Sequence, residues 1–318
     1  MTHFDVFNGD ADGLCALHQL RLAAPKNAVL ISGAKRNIEL LQRVDAQAGD
    51  SVTALDISVA RNRPALIALL ERGVSVEYFD HHYAGELPVH PNLRAVIDTS
   101  PHACTAILVD RHLAGRYRVW AVVAAYGDNL ISEACTLAAP LRLSAAELTR
   151  LHELGATLTY NGYGDSETDL IVHPAFLYRM LHRFADPFEF MRLEPLFRTI
   201  SDNRSSDLDL ARTQDAERRL AGATIHILPD APWSRRVRGV VANEWATRAP
   251  GLAQAVLTHN GRGGYAVSVR APLARPAGAD ALCRKFATGG GRVAAAGIDH
   301  LPEDQVPEFV RQLDQAFP

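Results

Sequence analysis

The chain has 318 residues, 47% of them hydrophobic and 22% charged, with a net charge of −3. That length allows about two domains of roughly 150 residues, and the composition excludes a disordered chain. No stretch free of Asp, Glu, Lys and Arg is longer than Ala249–Gly261, short of the roughly 20 apolar residues a membrane span needs. The charge balance excludes a strongly basic protein that coats long duplex DNA, while leaving room for a short anionic ligand. Of the 33 Lys and Arg residues only Lys26, Lys35 and Lys285 are lysines, so a bound phosphate would be met mainly by Arg forks, backbone N–H groups or metal. No GxxxxGK[ST] pattern occurs, which excludes a P-loop. Cys15, Cys104, Cys135 and Cys283 follow no zinc spacing, and no basic segment precedes an apolar one at the N-terminus. Reduced thiols and a cytoplasmic location are the expectation.

The first half alternates between strand and helix signals. Apolar runs at Phe4–Phe7, Ala28–Ser32, Val52–Ile57, Val74–Phe79 and Leu93–Ile97 are bounded by turn residues, with amphipathic stretches at Leu14–Ala23 and Pro64–Arg72 between them. This predicts an α/β fold whose parallel sheet is covered by helices on both faces. Helices are predicted over Cys104–Leu113, Tyr117–Tyr126 and Ala145–Thr157, then from His173-Pro174 to Asp186-Pro187. The polar stretch Ser201–Leu220, with N-cap residues at Ser205–Asp209, reads as a linker helix. Beyond it, strands are expected at Thr224–Leu228, Val237–Ala242, Ala253–Leu257 and Tyr265–Val269, and helices at Asp280–Ala287 and Asp304–Ala316. The predicted organisation is a first domain over 1–200, a linker over 201–223 and a smaller α/β domain over 224–318.

Four polar clusters in the first half carry the chemistry. Three follow predicted strands: Asn8-Gly9-Asp10-Ala11-Asp12-Gly13, Leu55-Asp56-Ile57-Ser58, and Phe79-Asp80-His81-His82. The fourth, Tyr126-Gly127-Asp128-Asn129, follows a helical stretch. Open parallel sheets bind ligands outside the carboxyl ends of their strands. Carboxylates brought together there must take up protons or capture cations. Four Asp and one imidazole suit Mn²⁺ or Mg²⁺ better than structural Zn²⁺. Gly9, Gly13 and Gly127 are expected to let the backbone turn sharply beside the ligands. Each Asp taken singly reads as well as a helix N-cap; Asp-His-His has no capping rationale.

In this order the clusters resemble the motifs of the DHH phosphoesterase superfamily. Asn8–Gly13 is similar to its His-x-Asp-x-Asp-Gly motif, Asp56 to its second, Asp80-His81-His82 to its third and Asp128 to its fourth. Gly289-Gly290-Gly291-Arg292-Val293-Ala294-Ala295-Ala296-Gly297 is similar to the GGGHxxAAG signature of the associated C-terminal domain. The resemblance implies a two-ion Mn²⁺ site, with Mg²⁺ as a substitute. One ion would be held by Asn8, Asp10 and Asp56, the other by Asp12, Asp56, His81 and Asp128. It implies that Asp80 supports the histidines, that His82 contacts the substrate phosphate, and that a metal-activated hydroxide attacks in a cleft between the domains. Gly289, Gly290, Gly291, Arg292 and Arg270 would bind substrate, with Asn243 a weaker match.

Two residues depart from the pattern. Asn8 stands where the family has His, and an amide oxygen is a weaker donor to a transition metal. His3 is too far along its strand to replace it, while His18 and His102 stay open as substitutes. Arg292 stands where the family has His; it offers a phosphate fork but no proton at neutral pH. Tyr160–Gly164 reads as a loop or a cleft lining. Gly289-x-Gly291-x-x-Ala294 also fits GxGxxA, but too little chain follows for a Rossmann fold. Asp10-x-Asp12-Gly13 lacks the later Glu of a calcium loop.

The expected activity is that of a Mn²⁺-dependent phosphoesterase acting on a short oligonucleotide or a nucleotide phosphate, with no membrane partner and room for an oligomer. The rival reading is a non-catalytic nucleotide- or phosphate-sensing protein with a degenerate first metal site.

Overall fold

A computed structural model describes all residues from Met1 to Pro318. The chain divides into two compact units, Met1–Asn203 and Arg204–Pro318. The first opens with β1 (His3–Phe7), α1 (Ala11–Ala23), β2 (Val29–Ile31), β3 (Ser51–Leu55), α2 (Val59–Glu71), β4 (Ser75–Asp80) and β5 (Leu93–Ile97). All strand pairs are parallel, in the order β2-β1-β3-β4-β5. The continuous apolar runs follow from burial on both faces. Phe4, Val6, Val52, Ala54, Val76 and Tyr78 pack with Leu66, Leu69 and Leu70 of α2 in one core. Phe7, Leu55 and Phe79, which point the other way by the two-residue period of a strand, are buried as well.

The strand order positions the site. From β1 the chain steps to one side for β2, then crosses to the other for β3. The loops leaving the carboxyl ends of β1 and β3 therefore part, and a crevice opens at such a switch point. The strand ladder continues into both loops, with Asn8 N donating to Leu55 O (3.1 Å) and Asp56 N to Phe79 O (3.0 Å).

Helices complete the unit: α3 (Thr105–His112), α4 (Arg118–Gly127), α5 (Ile131–Ala138), α6 (Ala145–Gly162), α7 (Pro174–Leu181), α8 (Pro187–Leu193) and α9 (Pro195–Arg212). A capping box between Ser144 and Glu147 starts α6, which continues through Tyr160–Gly162 where a loop was one expectation. Asp186-Pro187 begins a helix instead of ending one: Asp186 Oδ1 accepts from Phe188 N and Pro187 takes the first helical position, where its missing N–H costs nothing. Ser205–Asp209 lies inside α9, and the polar stretch is helical only as far as Arg212.

The second unit holds β6 (Arg218–Arg219), β7 (Ala223–Leu228), α10 (Pro232–Arg248), β8 (Ala253–Asn260), β9 (Gly264–Arg270), α11 (Ala279–Cys283), β10 (Gly289–Arg292), β11 (Ala295–Pro302) and α12 (Val306–Ala316). Its mixed sheet runs β10-β11-β9-β8-β7-β6. Only β7 and β8 are parallel, and α10 supplies the crossover that a parallel pair needs. The apolar run Val237–Ala242, expected as a strand, belongs to α10. Val237, Val241, Ala242 and Trp245 are buried at helical spacing, a period the run is too short to reveal by itself. No helix is long and apolar enough to cross a membrane.

Candidate metal centre

Asp10 begins the centre as a helix cap. Its Oδ1 accepts from Asp12 N (3.0 Å) and Gly13 N (3.3 Å) at the start of α1, the usual service of an Asp N-cap. Its Oδ2 accepts from Lys35 Nζ, which also donates to Asp128 Oδ1 (3.3 Å). Burial opposes ionisation of Asp10, but the Lys35 charge, its hydrogen bond and the Gly13 N–H outweigh it and hold the pKa below the ordinary value.

Asp12 is capped in turn across the chain. Thr105 N donates to its Oδ2 and Ala106 N to its Oδ1, both at 2.7 Å, so the carboxylate meets the N-terminus of α3. Even so, burial, together with Asp128 and Asp10 nearby, raises its pKa.

Asp56 follows β3 at φ +58°, a left-handed conformation that costs energy for a residue with a Cβ and that Asp tolerates better than most. Its Oδ1 accepts from Thr105 Oγ1 at 3.3 Å. Burial first, then the charges of Asp12, Asp10 and Asp128, push its pKa well above the carboxylate range.

The third motif brings the imidazoles. His81 Nε2 lies 3.4 Å from Asp56 Oδ1, 3.7 Å from Asp128 Oδ2 and 3.8 Å from Asp12 Oδ2. His82 Nδ1 donates to Asp80 Oδ1 at 2.7 Å and sits 3.9 Å from Asp56 Oδ1. Burial disfavours the His82 cation, yet the hydrogen bond and charge of Asp80 raise its pKa above the usual histidine value.

These distances test the donor set against a divalent ion. The His81 contacts are too long for good hydrogen bonds. Two ligands each about 2.2 Å from a shared ion sit roughly 3.1–3.6 Å apart, so Asp12, Asp56, His81 and Asp128 fit a cation with small adjustment. Two groups, Asp12-His81-Asp128 and Asp56-His81-His82, have ligand atoms mutually within 4.8 Å. The raised pKa values of Asp12 and Asp56 express the same need for positive charge.

In the set Asn8, Asp10 and Asp56, the Asp10 and Asp56 side chains lie within hydrogen-bonding reach of each other. Asn8 Nδ2 donates to Lys35 O (3.2 Å), its Oδ1 is buried without a partner, and Asp10 is engaged by Lys35. Neither open histidine fills the gap: His18 is bound to His182 Nδ1 and Phe184 O, both at 3.0 Å, and exposed His102 to Glu133. Lys35, Thr105 and Ala106 were missed in the sequence reading. The one available signal was a lysine shortly after β2 in a chain whose other basic residues, apart from Lys26 and Lys285, are arginines. Gly9, Gly13 and Gly127 do not take positive φ; Gly9 lies in the bend between β1 and α1, as expected, while Gly13 and Gly127 lie within α1 and α4. They supply room: a Cβ on Gly9 would collide with Gly33 O.

In the second unit the glycine signature forms β10, an edge strand paired with β11. Ala295 and Ala296 are in β11. A Cβ on Gly289 would strike Cys283 O and one on Gly291, at φ +140°, would meet Ala296 Cα at 2.5 Å, while Gly290 faces open space. Arg292 is exposed at the end of β10. Arg270, at the end of β9, is held by Asn243 Oδ1, Ser268 Oγ (2.9 Å), Val269 O (3.0 Å) and Gly239 O (3.2 Å). Asn243 thus fixes the direction of the guanidinium.

A parallel α/β unit with a carboxylate–histidine cluster at its switch point, followed by a smaller mixed-sheet unit, defines the class of protein. No protein-family model matches the chain, and no curated protein does. Solved structures share the fold. Exonuclease RecJ bound to manganese matches with a TM-score of 0.65 and 18% identity over 100% of this chain and 91% of that one. RecJ from Thermus thermophilus in complex with Mn²⁺ matches at 0.66 and 19% over 100% of this chain and 52% of that one. The pGpG-specific phosphodiesterase PggH of Vibrio cholerae matches at 0.60 and 13% over 99% of this chain and 98% of that one. The chain shares the fold of these exonuclease and phosphodiesterase structures.

Proposed function

We propose that this chain is a divalent-metal-dependent phosphoesterase, with Mn²⁺ the favoured ion and Mg²⁺ a substitute, and that it hydrolyses a short oligonucleotide or a nucleotide phosphate. The observation that carries this reading is the convergence of His81 Nε2 with carboxylate oxygens of Asp12, Asp56 and Asp128 within 4 Å. Those four residues would hold the ion. When bound there, a divalent cation supplies Lewis acidity toward a phosphoryl oxygen and toward water.

The chain's own groups do the rest. Thr105 N, Thr105 Oγ1 and Ala106 N hold the Asp12 and Asp56 carboxylates in fixed directions. Asp80 orients His82 through Nδ1 and favours its charged form, which leaves Nε2–H as a donor to a phosphoryl or leaving oxygen. In the second unit Arg270 and Arg292 would take the substrate's phosphate beside the strand formed by Gly289, Gly290 and Gly291. The activities of two structural neighbours, an exonuclease and a pGpG-specific phosphodiesterase, support a nucleotide substrate.

The test is a screen of purified protein with Mn²⁺ against dinucleotides, cyclic dinucleotides, 3′-phosphoadenosine 5′-phosphate and pyrophosphate. Turnover of a nucleotide substrate that chelator abolishes is expected. Ligand binding with no turnover on any substrate would overturn the enzymatic reading in favour of a nucleotide sensor.

A further inference from the structure

Lys35 is built into the metal centre from both ends of its side chain. Its backbone N–H donates to Gly162 O at 2.7 Å, and its carbonyl accepts from Asn8 Nδ2 at 3.2 Å. The ammonium donates to Asp10 Oδ2 and to Asp128 Oδ1, and lies 5.9 Å from the Tyr163 ring centroid. With Asp12 N and Gly13 N on its other oxygen, Asp10 has both oxygens engaged. An ammonium is a compact point charge on a flexible stem, closer to a metal ion in form than a planar guanidinium. Asn8 Nδ2 is used on Lys35 itself, while its Oδ1 is buried without a partner.

We propose that Lys35 Nζ is a resident cation standing in for one of the two divalent ions that the motif order implies. On this proposal the chain holds a single divalent ion, at Asp12, Asp56, His81 and Asp128. Asn8 belongs with Lys35: its Nδ2 anchors the lysine backbone. An ammonium has three N–H bonds. Two are directed at Asp10 and Asp128, so one remains to donate to a phosphoryl oxygen, where it neutralises charge as a metal would but without Lewis acidity. Together with one divalent ion, the ammonium leaves the four carboxylates with a single excess negative charge.

The proposal rests on the reading that a divalent cation occupies the four-residue cluster, and the experiment separates the two. The full chain is titrated with Mn²⁺ by calorimetry, and its electron paramagnetic resonance spectrum is recorded at saturation. One ion per chain, with the hyperfine pattern of isolated Mn²⁺, is expected. The Lys35→Ala/Asn8→His double variant should take up two, with the broadened spectrum of an exchange-coupled pair. Lys35→Arg keeps the charge and should still hold one. Two coupled ions in the unaltered protein would overturn the proposal while leaving the metal-dependent reading intact. No Mn²⁺ uptake by the unaltered protein would overturn both. The stoichiometry of the unaltered protein decides even where a variant fails to fold.

Discussion

Asp10 and Asp56 leave the carboxyl ends of adjacent strands, and both are buried, yet their carboxyls sit in opposite electrostatic states. Asp10 has Lys35 on one oxygen and two α1 N–H groups on the other, and its pKa lies below the ordinary value. Asp56 has one hydroxyl at 3.3 Å, three carboxylates nearby, a left-handed backbone, and a pKa pushed well up. Burial is common to both, so what separates them is the supply of partners. One side of the centre carries its own cation; the other is built to receive one.

The strongest way to break this contrast is to remove each charge in turn. Asn is the fitting replacement, since it tolerates the left-handed backbone of Asp56 and still caps α1 at Asp10. Asp56→Asn should abolish the Mn²⁺-induced rise in melting temperature, which arises because the ion binds the folded state alone, and cut turnover by about 10²-fold or more. It should leave the metal-free protein no less stable, because it removes a repelled buried charge. Asp10→Asn should do the opposite and destabilise the metal-free protein by about 1–3 kcal/mol, because Lys35 loses a buried partner. Thermal scans with and without Mn²⁺ check both, and similar behaviour of the two variants would erase the comparison.

Any pH experiment on the centre carries a background from α1. His18 is held neutral by burial and by neighbouring His182, with its pKa lowered to about 3; its Nε2–H donates to Phe184 O and its Nδ1 accepts from His182. The unfolded chain takes up this proton near pH 6.5 and the folded chain does not. Stability from this group is therefore full above pH 6.5 and lost as pH falls toward 3, at up to about 1.4 kcal/mol per pH unit. Denaturant titrations at several pH values should show this slope, and His18→Asn should flatten it. What remains at acid pH then belongs to the carboxylates.

A smaller effect sharpens the comparison from the second unit. Arg270→Ala should raise KM by about ten-fold or more, the loss of one charged hydrogen bond at about 1.5–3 kcal/mol, with kcat little changed. Asn243→Ala, which only frees the guanidinium, should move KM in the same direction by less. Steady-state kinetics on the substrate found in the screen would expose the assignment as wrong if KM stayed constant in both.

The smallest effect is expected at Asn8. Its Oδ1 already lacks a partner, so Asn8→Ala removes one hydrogen bond to Lys35 O and should cost about 1 kcal/mol in chemical denaturation. A loss several times larger would mean that Asn8 does more than anchor Lys35.

Much of this molecule is determined locally. The apolar runs ending in Asn8, Asp56 and Asp80 mark β1, β3 and β4 because a strand buried on both faces needs uninterrupted hydrophobic residues. Strand-end carboxylates in a parallel sheet have one common edge on which to gather, so the members of the donor set could be read in order along the chain. Helix starts set by Ser144 and by His173-Pro174 were likewise open to view. The run at Val237–Ala242 was not, because so short a segment fits either period and only packing in α10 chose between them. The partners in the centre were hidden for a stronger reason. Lys35 lies 25 residues from Asp10 and 93 from Asp128, and Thr105 lies 93 from Asp12. No periodicity links such positions. Sequence alone determined where negative charge would collect; the tertiary fold decided which of those charges are neutralised from within, because a buried charge takes its state from whatever distant segment the packing brings within a few ångströms.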